Sequence, residues 1–266
     1  MAAQLLSDGE EVRVFTRDPG RVAHWGGRIL AATGDFGEPE SFARAVTGAK
    51  GVFLMNGGSD AESFRRLIAA AKAQGNPRIV FLSTILAGEP GSQIGRLHKD
   101  KEDAIRASGL PGTFVRPGAF MTNAYQWVGT IKAEGIVYNP MGAGKSAPIA
   151  PEDIAAVAVR ALTAPDLLDE VLELTGGELL SVPEQVRILA GILGKPIRCV
   201  DVSTETAVQG LIRVGIPAPV AAAVGQTFET VRDGRAAMVA DAVERVTGCP
   251  PKTFEAWARE HASRFA

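Results

Sequence analysis

The chain has 266 residues, 46% of them hydrophobic and 22% charged, and its 28 basic and 30 acidic residues give a formal net charge of −2. This balance predicts a globular protein with a sizeable core and argues against a nucleic-acid-binding protein held by phosphate contacts. Two cysteines are too few for a disulfide scaffold, the apolar runs fall short of the roughly 20 residues that span a bilayer, and the first residues lack the pattern of a secretion signal. We therefore expect a cytoplasmic protein with no nucleic-acid or membrane partner.

Short apolar runs alternate with helical patterns through the first two-thirds of the chain. In chain order, these runs and helical segments are residues 12–16, 51–55, 61–73, 78–83, 99–108 and 113–116. Apolar runs without polar alternation are typical of strands covered on both faces, and strand–helix–strand repetition gives a parallel sheet. The predicted fold class is therefore α/β, with a doubly wound parallel sheet.

The pattern changes near residue 176, and this predicts a second, smaller lobe. Beyond that point glycine and proline separate segments with helical patterns, at residues 182–193, 204–214, 218–232, 236–246 and 254–265. We predict a cofactor-binding domain over residues 1–176 and an α-rich lobe over residues 177–266 that contacts the substrate or a partner.

Ligands of open α/β sheets bind at the carboxyl ends of the strands, so the residues after each predicted strand are the candidates for a site. A dinucleotide-binding fold also needs a first strand, a glycine-rich turn and a helix start, about 20 residues before the residue that reads the adenosine ribose. Counting back from Arg17 leads to a position before Met1. We therefore expect that the central first strand and its glycine loop are missing from this chain and that upstream sequence supplies them.

One glycine-rich segment could be mistaken for that loop. Residues 142–147 read Gly-Ala-Gly-Lys-Ser-Ala, which matches G-x-G-x-x-A and resembles the end of a phosphate-binding loop. Residues 148–151 contain two prolines where a helix should follow, so we predict a loop without a phosphate site.

Several stretches together resemble the NmrA-like branch of the atypical short-chain dehydrogenase/reductases. They are Thr16–Pro19, Gly34–Asp35, Ile79–Ser83, Ala104–Pro111, Arg116–Asn123 and Leu172–Gly176. The similarity covers nearly the whole chain. It implies a Rossmann-like domain that binds NAD(P), often with quinone or dye reductase activity, and in some relatives cofactor sensing without turnover.

The resemblance implies a set of cofactor-binding residues. They are Thr16, Arg17, Asp35, Asn56, Gly57, Ser83, Thr84, His98, Pro117, Gly118 and Phe120. Arg17 would face the 2′-phosphate of NADP, because a guanidinium pairs with phosphate through two hydrogen bonds, whereas Asp18 could favour a ribose hydroxyl. NADP(H) is therefore expected rather than NAD(H). Pro117, Gly118 and Phe120 would line the nicotinamide.

Each of these residues also has a plainer interpretation. Arg17 could be a solvated loop arginine, and Asp35 could cap the helix near Ser41. Asn56 and Gly57 could form an ordinary turn, and Phe120 alone would be interpreted as a core residue.

The chain departs from the larger superfamily at its catalytic residues. That superfamily uses Tyr-x-x-x-Lys, in which the tyrosine donates a proton and the lysine lowers its pKa. When the alignment is anchored on Ser108–Leu110, these positions fall on Ile94 and His98. Ile94 cannot donate a proton, whereas His98 could bond the ribose or relay a proton near neutral pH. Ser83 or Thr84 could orient a carbonyl or quinone oxygen.

The charged run around His98 is interpreted as a solvated helix face. It contains Lys99, Asp100, Lys101, Glu102 and Asp103. The other histidines, His24 and His261, show no metal-ligand spacing, so no metal is expected.

Without the tyrosine, we predict an NAD(P)H-dependent oxidoreductase that transfers hydride directly to a small quinone- or dye-like acceptor. His98 and Ser83 are the candidate catalytic residues. The alternatives are a redox-sensing regulator that binds NAD(P) and a partner protein without turnover, and a chain that binds no dinucleotide. The sequence leaves open whether the protein forms a homodimer or binds a regulatory partner.

Overall fold

The computed structural model describes residues 1–55 and 60–266, which fall into two compact units. Unit 1 comprises Met1–Gly88, Gly95–Arg116 and Ala155–Leu172. Unit 2 comprises Glu89–Ile94, Pro117–Ile154 and Glu173–Ala266. Unit 1 lies within the predicted cofactor-binding domain, and unit 2 combines the predicted C-terminal lobe with two earlier segments.

Strands and helices alternate along the first part of the chain, as the sequence predicts. The strands are β1 (Val12–Thr16), β2 (Ile29–Thr33), β3 (Gly51–Leu54), β4 (Arg78–Leu82), β5 (Gly112–Pro117), β6 (Ile136–Asn139), β7 (Lys145–Ser146), β8 (Val171–Leu174), β9 (Leu180–Ser181) and β10 (Arg198–Asp201). The α-helices are α1 (Ala2–Ser7), α2 (Pro39–Val46), α3 (Ala61–Ala73), α4 (Gln93–Ser108), α5 (Val128–Glu134), α6 (Pro151–Thr163), α7 (Val182–Leu193), α8 (Thr204–Arg213), α9 (Ala218–Arg232), α10 (Ala242–Thr247) and α11 (Phe254–Glu260). The α/β class is confirmed.

The predicted site residues lie at the carboxyl ends of strands that belong to two parallel sheets. β1 pairs in parallel with β2, and β3, β4, β5 and β8 follow one another in a second sheet. Among the described residues, β1 and β3 are each paired with one neighbour, so each leaves one backbone edge open. In the strand order of dinucleotide-binding folds, the first strand separates the two that correspond to β1 and β3. β1 and β3 accordingly lie in different sheets of the described structure.

Part of the core of unit 1 is a hydrophobic cluster that α2 and α3 share with the strands. The predicted apolar stripe of α3, Phe64, Leu67, Ile68 and Ala71, is buried in full. Phe42 of α2 belongs to the same cluster, and its ring lies 5.6 Å from that of Phe15 in β1. Both sheets therefore pack against the same helices. Each fully buried side chain of this size contributes roughly 1.5–3 kcal/mol.

Unit 2 has its own core, centred on Trp257 and Phe254 of α11 and Leu189 of α7, all 0% exposed. α7 begins as predicted because Ser181 and Glu184 form a capping box. β6 and β10 pair in parallel, and no pattern in the sequence predicts these two strands. None of the described helices is both long and apolar enough to span a membrane.

The predicted helix over residues 236–246 is wrong in its first half. Gly234 adopts a left-handed conformation with φ of +76°, which ends α9, and Ala240 N donates to Thr175 Oγ1 at 2.8 Å. α10 therefore begins only at Ala242. This tertiary hydrogen bond and the turn at Gly234 keep the segment out of a helix, and helical spacing alone could not reveal that bond.

Candidate functional site

Arg17 and Asp35 come together at the carboxyl ends of β1 and β2. The parallel register pairs Thr16 with Thr33, so the residues that follow each strand are neighbours. Arg17 Nε lies 3.8 Å from Asp35 Oδ2, and the two side chains are 83% and 46% exposed. An exposed ion pair of this length contributes little free energy. The guanidinium of Arg17 is thus free to bind an incoming anion.

The backbone around Asp35 is shaped by local hydrogen bonds. Asp35 Oδ1 accepts from Gly37 N at 2.7 Å, and Asp35 N donates to Ser41 Oγ at 3.1 Å. The N-cap of α2 is Glu38, so the interpretation of Asp35 as the cap of this helix is wrong. Gly34 is required here, because a Cβ at this position would run into the ring of Phe15 and the hydroxyl of Ser41.

Thr16 also makes a local turn, and its hydroxyl donates to Asp18 O at 3.0 Å. Asn56 and Gly57, predicted to approach the cofactor after β3, lie outside the described residues.

Unit 2 contains the segment that the resemblance assigns to the nicotinamide. Pro117 is buried at the end of β5, and Gly118 N donates to Leu174 O at 2.9 Å. Phe120 forms an isolated parallel bridge with Ile149 and is half-buried, so it is not one of the fully buried core residues. The three residues stay candidates for the nicotinamide site.

A buried polar cluster joins the end of β4 to β5 and α4 in unit 1. Ser83 Oγ donates to Glu102 Oε1 at 2.6 Å, and Arg116 donates to the two oxygens of Glu102 at 2.8 and 2.7 Å. Glu102 is 0%, Ser83 4% and Arg116 9% exposed. Burial alone would raise the pKa of Glu102, but the hydrogen bonds from Arg116 and Ser83 outweigh it and hold the pKa below its usual value. The carboxylate is therefore ionised at neutral pH.

This cluster distinguishes the two hydroxyls at the end of β4. A serine hydroxyl has one proton, and that of Ser83 is donated to Glu102. Thr84 Oγ1 accepts from Leu86 N at 3.3 Å, and no group in the described part of the chain takes its proton. Thr84 is therefore the hydroxyl that can donate to a ligand oxygen.

His98 lies on α4, close to the end of β4. Its ring centroid is 6.0 Å from that of Phe81, and its Nδ1 atom is buried without a hydrogen-bond partner among the described residues. Burial and the positive charge of Lys101 lower the pKa of His98, and Glu102 opposes them. His98 is therefore neutral at pH 7.

The interpretation of the charged run as a solvated face is wrong for Lys101 and Glu102, which are 3% and 0% exposed. Lys101 lies 5.6 Å from the centroid of the Phe64 ring, and burial lowers its pKa. Lys99 and Asp103, by contrast, form a partly exposed ion pair. The spacing of residues in α4 could have indicated this burial. The buried residues of the helix lie on one stripe and are Gly95, Lys101, Glu102 and Ile105.

The glycines at 142 and 144 have structural roles: Gly142 adopts a left-handed conformation with φ of +57°, and Gly144 allows close packing. β7 follows them instead of a helix, and Lys145 Nζ donates to Glu184 Oε1 at 2.9 Å. A Cβ on Gly144 would run into the carbonyl oxygen of Val231 in α9. A cradle for phosphate is therefore not formed by this segment. No group of His, Cys, Asp and Glu side chains in the part of the chain that the structure describes could hold a metal ion.

Comparisons with known proteins agree with this arrangement. A family model described as NAD(P)H-binding matches residues 1–165. The chain is 35% identical over 263 residues to the (4-alkanoyl-5-oxo-2,5-dihydrofuran-3-yl)methyl phosphate reductase of Streptomyces griseus, covering 98% of this chain and 93% of the relative. It is 34% identical over 258 residues to the NAD(P)H azoreductase of Xenophilus azovorans, covering 95% and 90%.

Solved structures share the fold. The NADPH complex of a quinone oxidoreductase from Escherichia coli superposes with a TM-score of 0.86 at 22% identity, over 98% of this chain and 94% of that one. The triphenylmethane reductase of Citrobacter sp. bound to NADP(H) gives 0.81 at 20% identity, over 94% and 90%. The family match and the two curated relatives support the resemblance that the sequence motifs carry. The chain therefore belongs to the NAD(P)H-binding family.

Proposed function

We propose that this protein is a reductase that uses NADPH to reduce a small quinone- or dye-like acceptor. Family membership supports cofactor binding. The relatives support the acceptor class, since one is an azoreductase and two structural neighbours are a quinone oxidoreductase and a triphenylmethane reductase. When bound, the nicotinamide supplies a hydride.

The residues after β1 and β2 fit the adenosine end of this cofactor. Arg17 presents a guanidinium that is 83% exposed, and phosphate is the anion that its planar fork pairs with best. Asp35 has one carboxylate oxygen that is not used by the turn at Gly37. We infer that Arg17 contacts the 2′-phosphate and that the protein prefers NADPH to NADH.

The observation that carries the choice of acceptor is the set of proton donors at the end of β4. The position of the superfamily tyrosine is Ile94, and the proton of Ser83 is held by Glu102. Thr84 and neutral His98 are what remains, and neither is a strong acid. A quinone or a cationic dye suits this set, because each can accept a hydride without prior protonation, and a quinone takes its remaining proton from water.

Two measurements test the proposal: the turnover of NADPH with an acceptor, and the direct transfer of hydride from NADPH to that acceptor. We expect NADPH oxidation, followed at 340 nm, with a quinone and with an azo or triphenylmethane dye. With NADPH deuterated at C4, deuterium should appear in the reduced triphenylmethane dye, whose carbon-bound hydride does not exchange with water.

Thr84→Val keeps the shape of the side chain and removes its hydroxyl donor. This variant should lower kcat for the quinone about tenfold, which corresponds to one hydrogen bond of roughly 1–1.5 kcal/mol. Tight binding of NADPH without oxidation by any acceptor would refute the reductase and favour the regulator.

A further inference from the structure

Glu102 has all of its hydrogen-bonding capacity used by groups of unit 1. Oε1 accepts from Ser83 Oγ at 2.6 Å and from Arg116 Nε at 2.8 Å. Oε2 accepts from Arg116 Nη2 at 2.7 Å and from Arg106 Nη1 at 3.3 Å. Since a carboxylate offers about four lone-pair sites, this one has none left for a substrate or a proton in transit. Any effect of Glu102 on the reaction must pass through other residues.

These contacts join three elements at one point. Glu102 lies on α4, Ser83 directly follows β4, and Arg116 is near the end of β5. The two parallel hydrogen bonds from Arg116 fix orientation as well as distance, and separating a buried pair leaves an uncompensated charge. The turn of α4 around Glu102 is therefore fixed against the carboxyl ends of two adjacent strands.

His98 lies one helical turn before Glu102 on α4, and residues four apart share a helix face. The charged groups that act on its ring are Lys101, which disfavours the imidazolium, and Glu102, which favours it. The side chain of β4 that packs against it is the uncharged Phe81. Glu102 thus influences both the position of the ring and its affinity for a proton.

We propose that Glu102 is a positioning residue for His98: held by Ser83 and Arg116, it fixes the turn of α4 that places the imidazole at the end of β4. The part that His98 plays in reduction rests on the function proposed above. The prediction concerns the position and the pKa of the His98 imidazole. NMR can measure this pKa without a hydride acceptor.

Glu102→Gln tests the proposal, and Asp103→Asn is its matched control. Both variants replace a carboxylate with an amide on α4, but Asp103 is exposed, and its ion-pair partners among the described residues are Lys99 and Arg106. In E102Q the new NH₂ group faces a donor of Arg116 or Ser83, and the negative charge near His98 is lost. By NMR titration we expect the pKa of His98 to fall in E102Q and to be unchanged in D103N. We also expect kcat of E102Q to fall roughly ten- to a hundredfold, with the KM for NADPH nearly unchanged.

If E102Q does not fold, the double variant E102Q/R116Q replaces it, because two amides can pair without a buried charge. The same displacement of the His98 titration is then expected. A folded E102Q or double variant whose His98 titration and kcat equal those of D103N would overturn the proposal. An unmodified protein that reduces no acceptor would refute the proposed function, while the NMR comparison would still decide the role of Glu102.

Discussion

Two adjacent hydroxyls at the end of β4 differ in chemistry because of what each contacts. Ser83 donates its proton to the buried carboxylate of Glu102, whereas Thr84 Oγ1 accepts from Leu86 N and donates to no residue that the structure describes. The sequence could assign both residues to the site but could not rank them. That ranking depends on Glu102, which is 19 residues away from Ser83 in the chain.

At the residue scale, the proposed preference for NADPH over NADH rests on the exposed guanidinium of Arg17. We expect Arg17→Ala to raise the KM for NADPH about ten- to a hundredfold, the worth of a charge-assisted hydrogen bond of roughly 1.5–3 kcal/mol. The KM for NADH should hardly change, because NADH lacks the 2′-phosphate. Steady-state kinetics with both cofactors measures the ratio.

Arg21, an exposed arginine in the 3-10 helix after β1, provides the control. Arg21→Ala should leave both KM values as they are. Equal losses for NADPH and NADH in R17A would mean that Arg17 does not recognise the phosphate.

At the scale of elements, the sequence predicts helix bounds that are set by interactions between residues near each other in the chain. The bounds of α3 and α7 agree with the sequence because a side-chain cap, Asp60 or Ser181, fixes the start of each helix. The burial of Glu102 could not be predicted by counting polar residues in α4. The charge of its carboxylate is compensated by Arg116, which lies on strand β5. The non-helical segment before α10 likewise has a contact with a distant residue, Thr175.

The open edges of β1 and β3 predict an uneven pattern of amide hydrogen exchange. In a parallel strand, alternate amides point to opposite sides, so an edge strand has half of its amides unpaired. We expect alternating protection along Val12–Thr16 and Gly51–Leu54, and continuous protection along Arg78–Leu82, which has a neighbour on each side. Hydrogen exchange followed by NMR resolves individual amides.

Continuous protection in β1 and β3 would contradict this prediction. It would mean that another strand pairs with these edges in solution. A second copy of the chain is one source of such a strand, and a concentration series would detect it.

At the scale of the whole molecule, the buried ionisable groups make stability depend on pH with a definite sign. His98 has its pKa lowered from 6.5, so the unfolded chain binds a proton in a range where the folded protein does not. The contribution of His98 to the free energy of unfolding therefore falls as the pH drops below 6.5. The pKa of Glu102 is lowered from 4.5, so the contribution of Glu102 to the free energy of unfolding is present above pH 4.5 and is lost in more acidic solution as the carboxylate is protonated.

Urea unfolding between pH 7.5 and 5 measures the effect of His98. Replacing His98 by Gln should flatten the curve in that range, whereas replacing the exposed His24 by Gln should leave it unchanged. A slope that survives in H98Q would show that this buried ring does not set the response to acid, and the origin would have to be sought among the other groups of the chain.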